Sequence, residues 1–153
     1  CAIKKNGKID LGYVGEPSNI NSEIIEALNN HGIIPVIAPI GISQSGETLN
    51  INADIVAGAI AGALGASRLY LLTDVPGIMN NENELISELS ATAAEALINN
   101  NLISGGMIPK TRTCIAAVEA GVGRAAILDG RIKHSLLIEL FTAGGSGTLI
   151  KSS

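Results

Sequence analysis

The two stretches Ala53-Asp-Ile-Val-Ala-Gly-Ala-Ile-Ala-Gly-Ala-Leu64 and Arg68-Leu-Tyr-Leu-Leu-Thr73 decide the fold class of this chain. The first is a run of small apolar residues that predicts a helix ending at Gly65, because glycine commonly follows the last residue of a helix. The second predicts a buried strand, closed by the turn Asp74-Val-Pro-Gly77. A helix followed closely by a buried strand is typical of a parallel sheet covered by helices.

The same alternation continues on both sides of this pair. Further strands are predicted where short apolar runs are bounded by turn residues, at 10–15, 33–38, 123–128 and, as an edge strand, 148–151. Helices are predicted at 19–30 with Ser18 or Asn19 as the cap, at 90–100 with Ser90 as the cap, at 110–120 and at 133–141. Residues 41–52 and 144–147 are expected to be loops, and 80–83 the tip of a hairpin.

The strands are continuously apolar, which indicates that both faces of the sheet are covered. The predicted fold class is therefore α/β, a three-layer αβα sandwich with a mostly parallel sheet. A length of 153 residues fits one domain. Ligands of such folds bind at the carboxyl ends of the strands, which directs attention to residues 41–52, 73–77 and 129–130.

Charge and composition exclude some classes of partner. The formal net charge is −4 and 2% of the residues are aromatic, so the chain has neither a broad basic surface nor a stacking platform for nucleic acid. The most hydrophobic stretch, residues 55–67, is shorter than the roughly 20 apolar residues needed to span a bilayer. No nucleic acid and no membrane are therefore expected as partners.

The two cysteines, Cys1 and Cys114, are too few for a disulfide framework and are interpreted as unrelated thiols in a reducing compartment. Together with the two histidines they show no zinc-ligand spacing, so no metal site is predicted. The cytoplasm is the expected compartment, or an organelle stroma in a eukaryote. Because the chain begins with Cys1, without an initiator methionine or a signal peptide, we interpret it as a fragment or a trimmed chain.

Leu49-Asn-Ile-Asn-Ala-Asp54 places three polar side chains, Asn50, Asn52 and Asp54, at the start of a predicted helix. Asn and Asp are common helix caps, so one of the three is expected to be the cap. Capping needs only one residue, and a ligand-binding role for the others fits the pattern equally well. Both interpretations stay open at this point.

Two further segments have features of a phosphate site. Thr73 and Asp74 follow a strand, although the Pro-Gly pair behind them also suits an ordinary type II turn. Ser104-Gly-Gly-Met-Ile-Pro-Lys110 precedes a predicted helix, whose N-terminus attracts anions. This segment is not a P-loop, because Pro109 stands where that motif needs glycine. A lysine at a helix start opposes the helix dipole, and a bound anion would explain Lys110 there.

Near the end of the chain, His134 begins a predicted helix that leads to a glycine-rich segment. That segment either wraps a small ligand or only joins the helix to the last strand, and a surface role is the more common one for a lone histidine. From the residues alone, the pattern indicates an α/β domain that binds a phosphorylated small molecule.

Six segments in the same order resemble the acetylglutamate kinases, a branch of the amino acid kinase family. They are Gly-Tyr-Val-Gly15, Ile-Pro-Val-Ile-Ala-Pro-Ile-Gly41, Leu-Asn-Ile-Asn-Ala-Asp54, Leu-Leu-Thr-Asp-Val-Pro-Gly-Ile78, Ser-Gly-Gly-Met-Ile-Pro-Lys110 and Gly-Thr-Leu-Ile150. Each segment is weak alone, but six in order are specific. The resemblance implies the fold of that family and transfer of the γ-phosphoryl group of ATP, with Mg²⁺, to the side-chain carboxylate of N-acetyl-L-glutamate in arginine biosynthesis.

The resemblance also implies roles for individual residues. Lys110 would stabilise the transferred phosphoryl group, Asp54 would orient the catalytic lysines, and Asn50 and Asn52 would contact the substrate. The nucleotide would lie along Thr73, Asp74, Val75, Gly77, Ile78, Met79, Ser104, Gly105, Gly106 and Met107. Members of the family that arginine inhibits carry a segment similar to residues 134–147, which implies L-arginine bound at His134, Glu139, Gly145 and Gly147.

The chain departs from the family by lacking the segments that hold acetylglutamate, namely a lysine followed by Gly-Gly, a Gly-Gly-Gly loop and an arginine. We therefore interpret residues 1–153 as the carboxyl-terminal, ATP-binding lobe, which alone would bind nucleotide weakly and would not turn over. Where arginine-inhibited members carry an acidic residue, this chain has Ala143 and Gly144. The full-length protein is expected to be a homo-oligomer.

Two alternatives stay open. Another amino acid kinase, of the glutamate 5-kinase or carbamate kinase type, would share the roles of Asp54 and Lys110 but differ around residues 49–54. A non-catalytic module that binds nucleotide or arginine would lack a catalytic partner segment.

Overall fold

The structure, a computed structural model, describes residues 2–4, 11–142 and 145–152. The chain divides into two compact units, Cys1–Leu64 and Gly65–Ser153, and each is considered by itself. Within the described residues, no helix combines the length and the apolar character needed to cross a membrane.

The first unit is a four-stranded mixed sheet with two helices. Its elements are β1 (Ala2–Lys4), β2 (Val14–Pro17), α1 (Glu23–Asn30), β3 (Ile40–Ile42), β4 (Thr48–Ile51) and α2 (Ala53–Ala63). The strand order is β1-β2-β4-β3, with β2 and β4 parallel and the two outer pairs antiparallel. Its core is small and consists of Ala2, Leu49 and Ile51, with Val56 of α2 packed against them.

The second unit is a larger four-stranded sheet with three helices. Its elements are β5 (Arg68–Thr73), β6 (Glu88–Ser90), α3 (Ala91–Asn99), α4 (Met107–Glu119), β7 (Arg124–Asp129), α5 (Ser135–Phe141) and β8 (Gly147–Lys151). The strand order is β5-β7-β8-β6. β5 is parallel to β7 and β6 is parallel to β8, whereas β7 and β8 are antiparallel.

β7 is one of the two inner strands of this second sheet. Every residue from Ala125 to Asp129 is buried, as expected for a strand with neighbours on both sides and cover on both faces. β5 lies at the edge and alternates, with Leu69 and Leu71 buried and Leu72 about half exposed. The core therefore lies on β7 and on the apolar residues that α3 and α4 bury.

The α/β class is confirmed, and the elements with strong local signals lie where the sequence predicts them. The helix expected at 53–64 is α2, with the Asn52 side chain accepting hydrogen bonds from the amides of Asp54 and Ile55. The strand at 68–73 is β5, and Ser90 caps α3 by accepting from Ala93 N. At the hairpin tip 80–83, the Asn80 side chain accepts from the amides of Glu82 and Glu84. The sheets are mixed, since half of the strand pairings are parallel.

The strand predicted at 33–38 is wrong. This segment forms no ladder, and Ile34 and Val36 are 88% and 97% exposed. Proline at position 35 has no amide hydrogen to donate, and in the described residues both sides of β2 are already occupied, by β1 and β4. The run therefore cannot pair with β2, and although β1 and β3 are the outer strands of this sheet, residues 33–38 form no ladder with either.

The loop predicted at 41–52 is also wrong, because it contains β3 and β4. Their hairpin turns at Gly46, which has a φ of +86°, while Ser43 and Glu47 close the turn through a backbone hydrogen bond of 2.9 Å. The Gly, Ser and Asn residues that indicated a loop instead lie in the turn and in the two short strands. The sequence prediction likewise missed β1 and β6.

Several predicted boundaries and caps need correction. α1 begins at Glu23, so neither Ser18 nor Asn19 caps it, and the Asn21 side chain accepts from Glu23 N instead. The predicted strand at 10–15 is β2, which runs from Val14 to Pro17, and Asp10 lies outside the described residues. α4 begins at Met107, three residues earlier than predicted. The last strand is not at an edge, because β8 lies between β7 and β6.

The turn after β7 is held by a short-range ion pair. Arg131 donates from Nε and Nη2 to the two carboxylate oxygens of Asp129, at 2.9 and 2.8 Å, and its backbone amide donates to the same side chain at 2.9 Å. These hydrogen bonds lower the pKa of the Asp129 carboxyl to about 2, because they favour its charged form. Because Asp129 is 4% exposed, its carboxylate has little contact with water, and the guanidinium of Arg131 is the main group that stabilises its charge.

Substitution of Gly147 by Ala is expected to lower the free energy of unfolding by about 1–3 kcal/mol, the usual cost of overpacking. A Cβ at this position of β8 would overlap the backbone carbonyl oxygen of Ile127, and backbone atoms cannot move aside without disturbing the β7–β8 ladder. Urea unfolding monitored by circular dichroism measures the change. Gly106→Ala is the control, since a Cβ there meets nothing within 4 Å; an equal loss in both variants would contradict the assignment.

The Asp129–Arg131 pair predicts a pH dependence. Because the folded-state pKa of Asp129 lies below its ordinary value of 3.8, the carboxylate stabilises the fold above about pH 4 and loses this effect as the pH falls toward 2. Asp129→Asn is therefore expected to be less stable than the wild type at pH 7, with a difference that shrinks between pH 4 and pH 2. Urea unfolding across that range tests this, and a difference independent of pH would contradict it.

Candidate functional site

Two segments that the sequence connects with a nucleotide line one cavity of the second unit. The cavity has a volume of about 210 Å³. This is smaller than the roughly 300–1,000 Å³ of sites that enclose drug-sized ligands, so it suits a single ring system. The loop after β5 and the segment leading into α4 supply its mostly apolar lining: Val75, Gly77, Ile78, Met79, Leu102, Ile103, Ser104 and Met107.

The first wall of the cavity is the base of a hairpin. Ile86 N donates to Ile78 O at 2.8 Å, and Met79 pairs with Leu85. The carboxylate of Glu84 accepts from the side-chain amide of Asn80, which closes the tip. Ile78 is buried and Met79 is half-buried, so the hairpin presents apolar side chains at its base and polar ones at its tip.

The second wall leads into the N-terminus of α4. Gly105 has a φ of +58°, which glycine adopts without strain, and Gly106 is the N-cap residue. Pro109 is tolerated because the amide groups of the first helical turn have no partner within the helix. Lys110 is the fourth helical residue and is partly buried. The positive end of the α4 dipole therefore lies beside one wall of the cavity.

The carboxyl ends of β5 and β7 meet at one edge of the sheet, as predicted. Thr73 is in register with Asp129, and Gly130 N donates to Thr73 O at 2.8 Å. The Thr73 hydroxyl donates to the carboxylate of Asp74, at 3.3 Å. Hydrogen bonding to Asp129 raises the pKa of Arg131, and a weaker charge interaction with Asp74 acts in the same direction. Thr73 and Asp74 thus lie at this edge, outside the lining of the cavity.

The first unit carries the predicted substrate residues. Asn50 lies in β4 and is exposed, and its backbone amide donates to Tyr13 O at 2.8 Å. Asn52 is the cap of α2, so its side chain is accounted for by the helix, whereas Asp54 lies in the first helical turn. Since Lys110 belongs to the second unit, the expected action of Asp54 on the catalytic lysines stays a prediction.

The structure brings three of the four predicted arginine-binding residues together. The Glu139 carboxylate accepts from Ser146 N at 2.9 Å, and a Cβ on Gly145 would lie 2.6 Å from the same carboxylate oxygen. Gly147 follows directly as the first residue of β8. His134 is exposed and lies at the opposite end of α5, with a φ of +63°. Ala143 and Gly144 lie outside the described residues.

Sequence reasoning missed Leu102 and Ile103, which line the cavity, and Arg131. A signal for the first two exists, because an apolar pair stands between the helix-ending Asn99–Asn101 and Gly105. For Arg131, the signal is its position two residues after an aspartate that ends a buried strand. In both places, residues next to the recognised motif contribute to the site.

A wider groove of about 800 Å³ lies on α3 and α4 and contains none of the predicted residues. Its lining includes Glu95 and Glu119, so it offers two carboxylates to an anionic ligand and does not suit a phosphate. Among the residues with described positions, no three His, Cys, Asp or Glu side chains come together as ligands for a metal ion. The smaller cavity is therefore the better candidate for a nucleotide.

The sequence is similar to curated acetylglutamate kinases. The enzyme from Parvibaculum lavamentivorans is 57% identical over 143 residues, which are 94% of this chain and 47% of that protein. The enzyme from Gluconobacter oxydans is 58% identical over 144 residues, or 94% of this chain and 49% of that protein. The chain thus spans about half the length of the curated relatives it matches.

Solved structures share the fold. N-acetylglutamate synthase from Neisseria gonorrhoeae, complexed with coenzyme A and L-arginine, superposes with a TM-score of 0.92 at 31% identity, over 99% of this chain and 36% of that one. Carbamate kinase from Giardia lamblia, bound to AMP-PNP, gives a TM-score of 0.69 at 21% identity, over 100% of this chain and 52% of that one, which supports the fold alone.

The family assignment rests on the sequence and agrees with the fold. Residues 1–129, well over half of the chain, match the profile of the amino acid kinase family. The expected resemblance is thus confirmed, and this chain belongs to the amino acid kinase family.

Proposed function

We propose that the chain is the nucleotide-binding part of an acetylglutamate kinase, which transfers the γ-phosphoryl group of MgATP to N-acetyl-L-glutamate in arginine biosynthesis. The observation that carries the proposal is the apolar cavity in which the two segments connected with a nucleotide meet. The relatives named acetylglutamate kinase, at 57–58% identity, favour this activity over the carbamate kinase alternative, whose solved example is 21% identical.

In this proposal the cavity takes the adenine ring. Its volume suits one ring system, and its lining offers apolar contacts on two sides. Both methionines of the chain, Met79 and Met107, line it, one on each wall. Thioether side chains are flexible and make favourable contacts with aromatic rings, so they fit a flat base without a rigid slot.

The phosphates then extend toward the start of α4. The helix dipole, the approach that Gly105 and Gly106 permit, and the ammonium group of Lys110 all favour an anion there. Mg²⁺ enters as part of the MgATP substrate, because this ion is commonly held by substrate phosphates and water with only one or two carboxylates. Thr73 and Asp74, at the sheet edge, are the proposed neighbours of the ribose and phosphates.

The reaction needs positioning and charge neutralisation more than covalent chemistry. A carboxylate oxygen of N-acetyl-L-glutamate attacks the γ-phosphorus, the bond to the bridging oxygen of ADP breaks, and an acyl phosphate forms. Lys110 stabilises the negative charge on the transferred group. Asn50 contacts the acetylglutamate, while Asn52 acts through the cap of α2.

Substitution of Lys110 by Ala is expected to weaken MgATP binding by about tenfold or more, the effect of losing a charged hydrogen-bonding group. Isothermal titration calorimetry of the 153-residue chain with MgATP measures the dissociation constant. Arg112→Ala is the matched control, because it removes the same charge from the same helix.

The control residue lies 3.8 Å from Glu95 of α3 and is 60% exposed, so its loss is expected to change the constant by less than about twofold. Equal weakening in both variants would show a general charge effect and contradict the role of Lys110. No binding at millimolar MgATP would contradict a nucleotide site formed by this chain.

We propose, second, that residues 134–147 bind L-arginine as a feedback inhibitor. The supporting observation is the convergence of Glu139, Gly145 and Ser146, which places a carboxylate beside a glycine that has no room for a side chain. A carboxylate is the natural partner of a guanidinium or ammonium group. The N-acetylglutamate synthase that shares the fold was solved with L-arginine.

L-arginine is expected to raise the melting temperature of the chain, since a ligand at a hundred times its Kd stabilises the folded state by about 2.7 kcal/mol. His134→Asn is expected to reduce this shift, and differential scanning fluorimetry measures it. His31→Asn is the matched control: it replaces the other histidine, whose Nδ1 lies 2.7 Å from Ala27 O, and is expected to keep the full shift. An arginine effect that is the same in both variants would contradict the proposed site.

A further inference from the structure

A single buried hydroxyl joins the last strand of the sheet to the hairpin that forms one wall of the cavity. Thr148 of β8 is fully buried. Its Oγ1 accepts a hydrogen bond from Ile78 N at 2.8 Å and donates one to Ile86 O at 2.7 Å. These two partners lie on opposite strands of the hairpin base, which a hydrogen bond from Ile86 N to Ile78 O also closes. Thr148 therefore binds both strands of the hairpin, at two residues that face each other across its base.

The residue before Ile78 fits closely against the same hydroxyl. Gly77 has a φ of +147°, and a Cβ built on it would lie 2.6 Å from Thr148 Oγ1 and 2.8 Å from Leu85 Cδ1. The chain thus turns into the hairpin with its backbone against the threonine and with no space for a side chain. A hydroxyl fills this place and also satisfies a buried amide, which an aliphatic side chain of the same shape would leave unpaired.

Gly77, Ile78 and Met79 are cavity-lining residues, whereas Thr148 is not. We infer that Thr148 is a positioning residue for the nucleotide: its hydroxyl fixes the 77–79 wall at the separation from the 102–107 wall that an adenine ring requires. The inference rests on the proposed function and adds a residue that acts through the hairpin backbone without contact to the ligand.

The β8 strand by itself does not require a hydroxyl at this position. Thr148 is in register with Ile127 of β7, and Ile150, the next residue on the same face of β8, is also buried and apolar. Valine has the same branched shape and an equal preference for strands, so the sheet alone would accept it. The hydroxyl is therefore explained by the hairpin that it binds.

The test compares Thr148→Val, which keeps the shape and loses the hydroxyl, with Thr148→Ser, which keeps the hydroxyl. In the 153-residue chain, Thr148→Val is expected to raise the hydrogen-exchange rate of the Ile78 amide about tenfold, measured by NMR, and to weaken MgATP binding about tenfold. Thr148→Ser is expected to stay within about twofold of the wild type in both measurements. Thr113→Val, at a buried threonine of α4 outside the cavity lining, controls for the general effect of the substitution.

Unchanged Ile78 exchange and unchanged MgATP affinity in Thr148→Val would overturn the inference, even if the variant is less stable overall. A wild-type chain that binds no MgATP would count against the proposed function, and the Ile78 exchange rate would still decide whether the hydroxyl holds the hairpin. If Thr148→Val does not fold, Thr148→Cys, with its weaker hydrogen-bonding thiol, replaces it and is expected to show a smaller change in the same direction.

Discussion

The pairing of β7 with both β5 and β8 is the constraint on which the second unit depends. β7 is buried from Ala125 to Asp129, so its backbone groups there find partners only in these two neighbours. The parallel register with β5 fixes where the chain leaves the sheet after Thr73, and the antiparallel register with β8 places Thr148 opposite Ile127. Because the hydroxyl of Thr148 then holds the hairpin that follows β5, one wall of the cavity is a consequence of strand register.

Local positive charge supports the proposed binding of a polyanion by this acidic chain. The net charge is −4, so an anionic ligand is attracted only where local groups outweigh the overall field. At the carboxyl edge of the sheet, Arg131 neutralises the buried Asp129 and also interacts with Asp74. At the start of α4, the helix dipole and Lys110 act in the same sense. The proposed path of the nucleotide, from an apolar cavity to this helix start, follows these positive groups.

Sequence reasoning succeeded for elements whose signal is local, and it failed where pairing with another strand determines whether and where a strand forms. Asn52 and Ser90 cap their helices as side-chain chemistry predicts, and β5 lies where its apolar run begins and ends. The apolar run at 33–38 has the composition of a strand but pairs with none of the described strands, and β8 is an inner strand because β6, which has no strong pattern of its own, pairs with it. From the residues alone the two motifs of the candidate site were predicted separately, and the family resemblance placed both along one nucleotide. Their meeting at one cavity depends on tertiary packing and could not be read from spacing.

The central claim is that the cavity between the 75–79 and 102–107 segments holds the adenine ring of ATP. The chain has two methionines, Met79 and Met107, and they lie on opposite walls of that cavity, so ¹³C-methyl labelling of methionine gives two NMR signals that both report on it. Titration with MgATP is predicted to shift both signals through the ring current of the base, with one common dissociation constant. Bound nucleotide that leaves both methyl signals unmoved would contradict the account.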